Sequence, residues 1–238
     1  EYSILDISDK VVLSTEDEFK RQLGNYRASP RLHSENRVAI IPPGIGIVST
    51  KSNADARNRL KRRIVKQLRK DQRGLPCFGL LSKFDERKNI FGLVKVWHDS
   101  GLYRETNLFI AGGPRINSAD ISELEQIEIY QRIKNFISNH PYFVQRCFSP
   151  STWDSHSGET REFYNILRDG IPNVVGSGSV FVHPSTYEPF GLAIIEAMAL
   201  NIVTVATING GPKEVISHRI NGYLVDPQNE SNFAAILK

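Results

Sequence analysis

The feature that most constrains this chain is an alternation of short apolar runs, rich in β-branched residues, with longer stretches of helical period. The runs are Val11 to Ser14, Val38 to Ile41, Cys77 to Leu81, Leu108 to Ala111, Phe143 to Cys147, Val180 to His183 and Val203 to Ala206. Helical spacing of apolar residues falls between them, near 16–24, 55–71, 89–99, 121–138, 160–168, 190–200 and 212–217. Short runs apolar on both sides predict strands covered on both faces, and strict β/α alternation predicts parallel pairing. The fold class expected is therefore α/β, a Rossmann-like parallel sheet with helices on both faces. Local signals agree: Asp120 to Glu123 has capping-box spacing ahead of the apolar series Leu124, Ile127, Ile133 and Ile137.

One break interrupts the alternation. Ile41-Pro-Pro-Gly-Ile-Gly46 removes two backbone donors and adds two glycines, which predicts a linker over 42–46. Residues 1–41 hold too few elements to bury a core alone and are expected to be the end of a preceding domain, with 47–238 a nearly whole α/β domain lacking its last helices. The chain opens on Glu1 rather than Met, and Ser231 to Lys238 read as the first turns of a helix that stops abruptly, both of which predict a piece of a longer protein.

Composition narrows the class. A 40% hydrophobic and 24% charged chain is ordinary for a globular protein, and no apolar run approaches the ~20 residues of a membrane span. Cys77 and Cys147 show no metal-binding or redox spacing, so two buried thiols in a reduced, cytoplasmic chain are expected. The net charge of +4 is unevenly spread: Arg57 to Arg73 holds nine Lys/Arg against Asp71, leaving −4 for the rest. Leu60, Ile64 and Leu68 mark an apolar stripe through this basic stretch. Its preferred reading is a solvated helix face, with contact to an anionic membrane surface second. Nucleic acid is set aside, because no aromatic residue interleaves the charges.

In open parallel sheets ligands bind beyond the carboxyl ends of the strands. Of four such loops, Ser82 to Asn89 gathers Lys83, Arg87 and Lys88 before a helix, a pattern suited to a phosphate or diphosphate. Ala111-Gly-Gly-Pro114 permits close backbone approach, and Asn209-Gly-Gly-Pro-Lys-Glu214 repeats that pattern with an acid suited to a helix dipole. The most informative loop runs from His183 through Glu188-Pro-Phe-Gly-Leu to Glu196. Pro189 suits a first helical position, which places Glu188 at the N-cap and leaves the amides of Phe190, Gly191 and Leu192 for a ligand. Glu196 then lies ~12 Å further along the same helix, on nearly the same face. Carboxylates so spaced cannot share a metal but can grip two ends of a hydroxyl-rich ligand. Glu196, among Ile194, Ile195, Ala197 and Met198, needs a partner if buried.

These residues, together with Val205-Ala-Thr, Gly210-Gly-Pro, Asn221-Gly-Tyr-Leu-Val-Asp-Pro227 and Leu102-Tyr-Arg-Glu-Thr-Asn-Leu-Phe-Ile-Ala-Gly-Gly, closely resemble the donor-binding half of retaining glycosyltransferases of family 4. Within that family the chain looks most like the sucrose-phosphate synthase and sucrose synthase branch. The resemblance implies one half of a two-domain GT-B enzyme that moves a hexosyl group from a nucleotide diphosphate sugar to an acceptor hydroxyl, such as that of a sugar or sugar phosphate. It implies that Lys88 and Lys83 hold the donor diphosphate, that Glu188 and the amides of Phe190, Gly191 and Leu192 bind the sugar, and that Glu196 binds the ribose diol. A UDP-sugar is the first expectation, with ADP- and GDP-sugars as alternatives, and no metal or other cofactor is implied. Acceptor recognition would lie on the missing N-terminal domain, so the fragment alone is expected to be inactive. Lys83, Asn201, Val203 and Gly178-Ser179 depart from the family pattern, which keeps open a non-catalytic domain that binds a nucleotide or a protein partner. A dinucleotide-binding Rossmann domain is the further rival, and no Gly-x-Gly-x-x-Gly follows any strand to support it.

Overall fold

Two parallel sheets of unequal size organise the chain. The structure, a computed structural model, describes residues 4–26, 29–45, 52–112, 124–139, 147–148 and 158–238. The smaller unit contains α1 (Ile4–Ile7), β1 (Val11–Leu13), α2 (Glu16–Arg21), α3 (Ser29–Ser34) and β2 (Val38–Ile40). Its strands pair in parallel with Val11 opposite Val38, over a cluster centred on Leu23 and Leu32. The larger unit contains α4 (Ala54–Gln67), β3 (Cys77–Leu81), α5 (Ile90–Asp99), β4 (Asn107–Ala111), α6 (Leu124–Ser138), β5 (Cys147–Phe148) and α7 (Glu159–Asp169). It continues with β6 (Val180–His183), α8 (Leu192–Ala199), β7 (Val203–Thr207), α9 (Pro212–Val215), β8 (Tyr223–Val225) and α10 (Glu230–Leu237).

The larger sheet has the order β5-β4-β3-β6-β7-β8 with every pairing parallel. From β3 the chain steps outward to β5, then returns through α7 to β6 on the other side of β3. This reversal is the Rossmann order and opens a crevice at the carboxyl ends of β3 and β6. Successive side chains point to opposite faces and fill two core layers. Cys77, Phe109 and Phe181 join α4, α7 and α8 on one side, while Phe78, Leu108, Ile110 and Val182 join Trp97, Ile133 and Phe233 on the other.

Several local expectations change. The edge strand β8 and the short helix α3 carry too few periodic residues to announce themselves. In α6 the buried positions are Gln126, Ile129 and Ile133, while Leu124 is exposed; the capping-box residues Asp120 to Glu123 lie outside the described residues. Cys77 is buried, and burial pushes its thiol up to about 12 despite the Ser179 hydroxyl beside it. The side chain of Cys147 lies outside the described residues.

The basic stretch is not simply a solvated face. Its helix ends at Gln67, and three of its arginines turn inward to the buried carboxylates of α7. Arg59 and Arg63 pair with Glu159 at 3.2 and 2.9 Å, and Arg57 lies 3.5 Å from Glu162 while also donating to the Gly170 carbonyl. Glu162 accepts in addition from the Asn53 amide and the Ser52 hydroxyl, and so fastens the start of α4 to α7. Glu162→Ala is expected to lower unfolding free energy by about 2 kcal/mol, because several donors then lose one buried acceptor. Urea denaturation measures this, and a loss under ~0.5 kcal/mol would show that the clamp does not hold the two helices.

The smaller unit docks on the larger through α2. Thr15 caps α2 by accepting from the Glu18 amide and donates its hydroxyl proton to the Pro189 carbonyl at 3.1 Å. Glu214, at the start of α9, accepts from the amides of Glu16 and Asp17, and Lys213 pairs with Asp17. The acid expected to suit a helix dipole thus serves α2 across the junction, where its charge meets the positive end of that helix.

Candidate functional site

The carboxyl ends of β3 and β6 carry the two loops that build the site. After β3, Asp85 accepts from the Arg87 amide and bends the chain into a tight turn over Glu86–Lys88. After β6, Thr186 donates its amide to the Arg87 carbonyl at 2.7 Å, which ties this loop to the first. A third loop fixes Glu188 through its backbone: its amide donates to the Asn209 carbonyl, and its carbonyl accepts from the Gly211 amide. Only glycine fits beside it at 210, where φ is +111° and a Cβ would stand 2.0 Å from the Glu188 carbonyl oxygen.

Side chains converge accordingly. The Lys88 ammonium lies 2.6 Å from Glu188 Oε2, and His183 Nε2 lies 2.8 Å from the same oxygen. Glu188 is only 8% exposed. Burial favours its neutral form, yet the hydrogen bond from His183, followed by the hydrogen bond and charge of Lys88, outweighs it and draws the carboxyl down to about 2. A cleft of about 390 Å³ opens beside this pair, lined by Lys83, Lys88, Glu188, Phe190, Gly191 and Leu192 as well as His183 and Pro43. Lys83 stands exposed at its rim.

One predicted detail is corrected here. Glu188 is not an N-cap and Pro189 does not begin the helix; α8 starts at Leu192 after Gly191, whose φ is +96°. Pro189 instead gives its carbonyl to Thr15, and the helix is turned away from Glu188 by the left-handed glycine. Gly191 supplies no side-chain cap, and the first helical hydrogen bond runs from the Ile194 amide to the Gly191 carbonyl. The amides of Phe190, Gly191 and Leu192 precede that bond, so they remain the donors expected at this wall of the cleft.

Glu196 is absent from the residues lining the cleft. It sits half-buried on α8, where Tyr164 from α7 donates its hydroxyl to Glu196 Oε2 at 3.1 Å. The apolar setting of Glu196 predicted a partner without identifying it, since Tyr164 lies 32 residues away. Asn201, another departure from the family pattern, ends α8 in the left-handed conformation with φ of +59°. Ser179, in the Gly178-Ser179 departure, bonds the Cys77 amide through its hydroxyl. Beyond β4 and β5, residues 113–114 and 143–146 lie outside the described residues.

Residues 159–238 match the family model of glycosyl transferases group 1. The likeness to glycosyl transferases group 1 lies in this stretch, from α7 through α10. Sucrose synthase 4 of Oryza sativa is 32% identical over 171 residues, covering 70% of this chain and 20% of its own length. Sucrose-phosphate synthase of Thermosynechococcus elongatus, 25% identical, superposes with a TM-score of 0.68 over 98% of this chain and 49% of its own. Anabaena HepE in complex with UDP and glucose shares the fold, with a TM-score of 0.67 at 18% identity over 97% of this chain and 52% of its own. The chain thus spans about a fifth of the length of the sucrose synthase it matches. Among the described residues, no helix is long and apolar enough to cross a membrane.

The sequence motif assigns His183 no role, yet its place at the end of a buried strand, directly before the Glu188 loop, is a usable signal. The Glu188 charge has a measurable consequence. Folding lowers its carboxyl from the ordinary 4.5 to about 2, so the stability it contributes is complete above about pH 4.5 and is lost as pH falls through about 2. Glu188→Gln is expected to be less stable than the parent by roughly 2 kcal/mol at pH 7, with the difference shrinking below pH 4.5. Urea midpoints at pH 7 and pH 3 check this, and a difference that grows toward acid would contradict it.

Proposed function

We propose that the cleft holds the diphosphate and sugar of a nucleotide diphosphate sugar, and that the intact protein transfers the hexosyl group to an acceptor hydroxyl of a sugar or sugar phosphate. The observation that carries this reading is the Lys88–Glu188 pair, set beside an uncapped helix N-terminus in the switch-point crevice. An arriving diphosphate competes with Glu188 for the Lys88 ammonium, and the amides ahead of α8 add donors to the same anion. As the glycosyl bond breaks, negative charge builds on the leaving diphosphate, where Lys88 and Lys83 stabilise it. This reading needs no metal or other cofactor.

Glu188 keeps its bond from His183 when Lys88 turns to phosphate. Ionised and acceptor-only, it suits sugar hydroxyls and acts as a binding carboxylate rather than a glycosidase-type nucleophile. Glu196 takes the ribose diol in this scheme, and transfer proceeds with retention at the anomeric carbon. The acceptor is met by a further domain of the intact protein. UDP is the favoured nucleotide, which the UDP and glucose bound to Anabaena HepE supports. We place the reaction in the cytoplasm, a setting that suits the free thiol of Cys77.

Calorimetric titration with UDP, ADP and GDP, then with their glucose and mannose conjugates, tests the reading. Lys88→Ala is expected to weaken nucleotide diphosphate binding by about 1.5–3 kcal/mol, the scale of a hydrogen bond to a charged group. Unchanged affinity in that variant removes the diphosphate assignment. If the intact protein binds a donor yet neither transfers nor hydrolyses the sugar, the domain is a non-catalytic binding module.

A further inference from the structure

Glu188 at the cleft and Glu196 outside its lining, the two carboxylates of the donor reading, are joined by a feature that this reading does not use. His183 and Phe181 alternate along β6 and so share a face; their rings lie 6.2 Å apart and 20° from parallel. Phe181 in turn meets Tyr164 of α7 at 5.7 Å and 57°. One end of this buried column bonds Glu188 through His183, and the other bonds Glu196 through Tyr164. Each carboxylate is held the same way. Lys88 and His183 both fall on Glu188 Oε2, Tyr164 falls on Glu196 Oε2, and among the described contacts neither Oε1 is engaged.

Donor roles follow from chemistry. His183 Nδ1 is buried with no hydrogen-bond partner among the described residues. A bare lone pair is tolerated there more easily than a bare N–H, so the proton sits on Nε2 and is donated to Glu188. The Tyr164 oxygen faces the Glu196 carboxylate and the Ala193 carbonyl, both acceptors, so Tyr164 is the donor. Burial, then the neighbouring Glu196 charge, raises its hydroxyl far above the usual phenol range, which keeps that proton in place.

We propose that His183 and Tyr164 are positioning residues: through one aromatic column they fix the two carboxylates with one oxygen held and the other presented, Glu188 to the sugar and Glu196 to the ribose. The assignment rests on the donor reading above. A glutamate has three side-chain torsions, and one ordered before the ligand arrives loses less freedom on binding. The two ends of the column therefore act on different parts of one ligand.

Calorimetry on the whole chain with UDP and UDP-glucose, or with the ADP or GDP pair if the parent prefers it, separates these roles. Tyr164→Phe removes only the hydroxyl and is expected to weaken both ligands equally, by roughly five- to tenfold. His183→Phe keeps a ring on Phe181 and is expected to leave UDP within about twofold while lowering UDP-glucose relative to UDP by roughly fivefold. His183→Gln, which restores an N–H donor, is expected to recover most of that ratio. Thermal melting checks each fold, and if His183→Phe does not fold, His183→Asn, with shorter reach, supplies the comparison with His183→Gln. Equal loss of both ligands in the His183 variants, or UDP binding unchanged in Tyr164→Phe, overturns the positioning roles while the donor site stands. A parent chain that binds none of the nucleotides overturns the donor reading and this assignment together.

Discussion

The reversal of strand order between β3 and β6 is the constraint on which the rest of the structure depends. Because β4 and β5 step to one side of β3 and β7 and β8 to the other side of β6, the loops that leave β3 and β6 part from each other and leave a crevice between them. Lys83 and Lys88 belong to the first loop, and His183 and Glu188 to the end of β6 and the second. Residues a hundred positions apart in sequence thus come within hydrogen-bond distance. Neither side chain could be placed by its own helix or strand; the parallel register of β3 with β6, Phe78 opposite Val180, sets their approach.

Electrostatics at the crevice is a competition. A buried carboxylate is costly unless paired, and here an ammonium and an imidazole N–H meet the same oxygen of Glu188. Lys88 is thereby held at the cleft, and in the proposed donor reading an incoming anion competes with Glu188 for it. His183 is what makes the exchange tolerable, since Glu188 keeps one donor when Lys88 leaves. The site is ordered before ligand binding and can still rearrange by the movement of one flexible lysine.

The layered α/β fold was legible in the sequence because buried parallel strands write continuous apolar runs, and Cys77–Leu81 and Val180–His183 need no tertiary information to be found. Features that depend on distant partners were not legible. Arg57, Arg59 and Arg63 read as solvated because Glu159 and Glu162 stand about a hundred residues away, on a helix whose docking only the sheet order reveals. Pro189 misled for a related reason. Its fixed φ suits a first helical position, but its carbonyl is claimed by Thr15 from the other unit, and Gly191 delays the helix until Leu192. Lys88, Lys83, Glu188 and the three amides were named from loop position, and the cleft gathers them; Glu196 was named with them and stands apart, held by Tyr164.

That claim on Pro189 ties the smaller unit to the ligand loop. Thr15 caps α2 with its oxygen and uses the same hydroxyl to donate to the residue between Glu188 and Phe190, while Glu214 and Lys213 secure the first turn of α2 from the other side. Any rotation of the smaller unit against the larger must either carry the Pro189 carbonyl with it or break a bond that has no substitute among the described contacts. Glu188 itself is held more firmly, by two backbone bonds to the Asn209–Gly211 loop. Strain from such a rotation therefore falls on the short stretch Pro189 to Gly191, the part of the loop with the unbonded amides. Coupling between the two units thus acts on the wall of the cleft formed by Phe190, Gly191 and Leu192 before it reaches the Glu188 carboxylate.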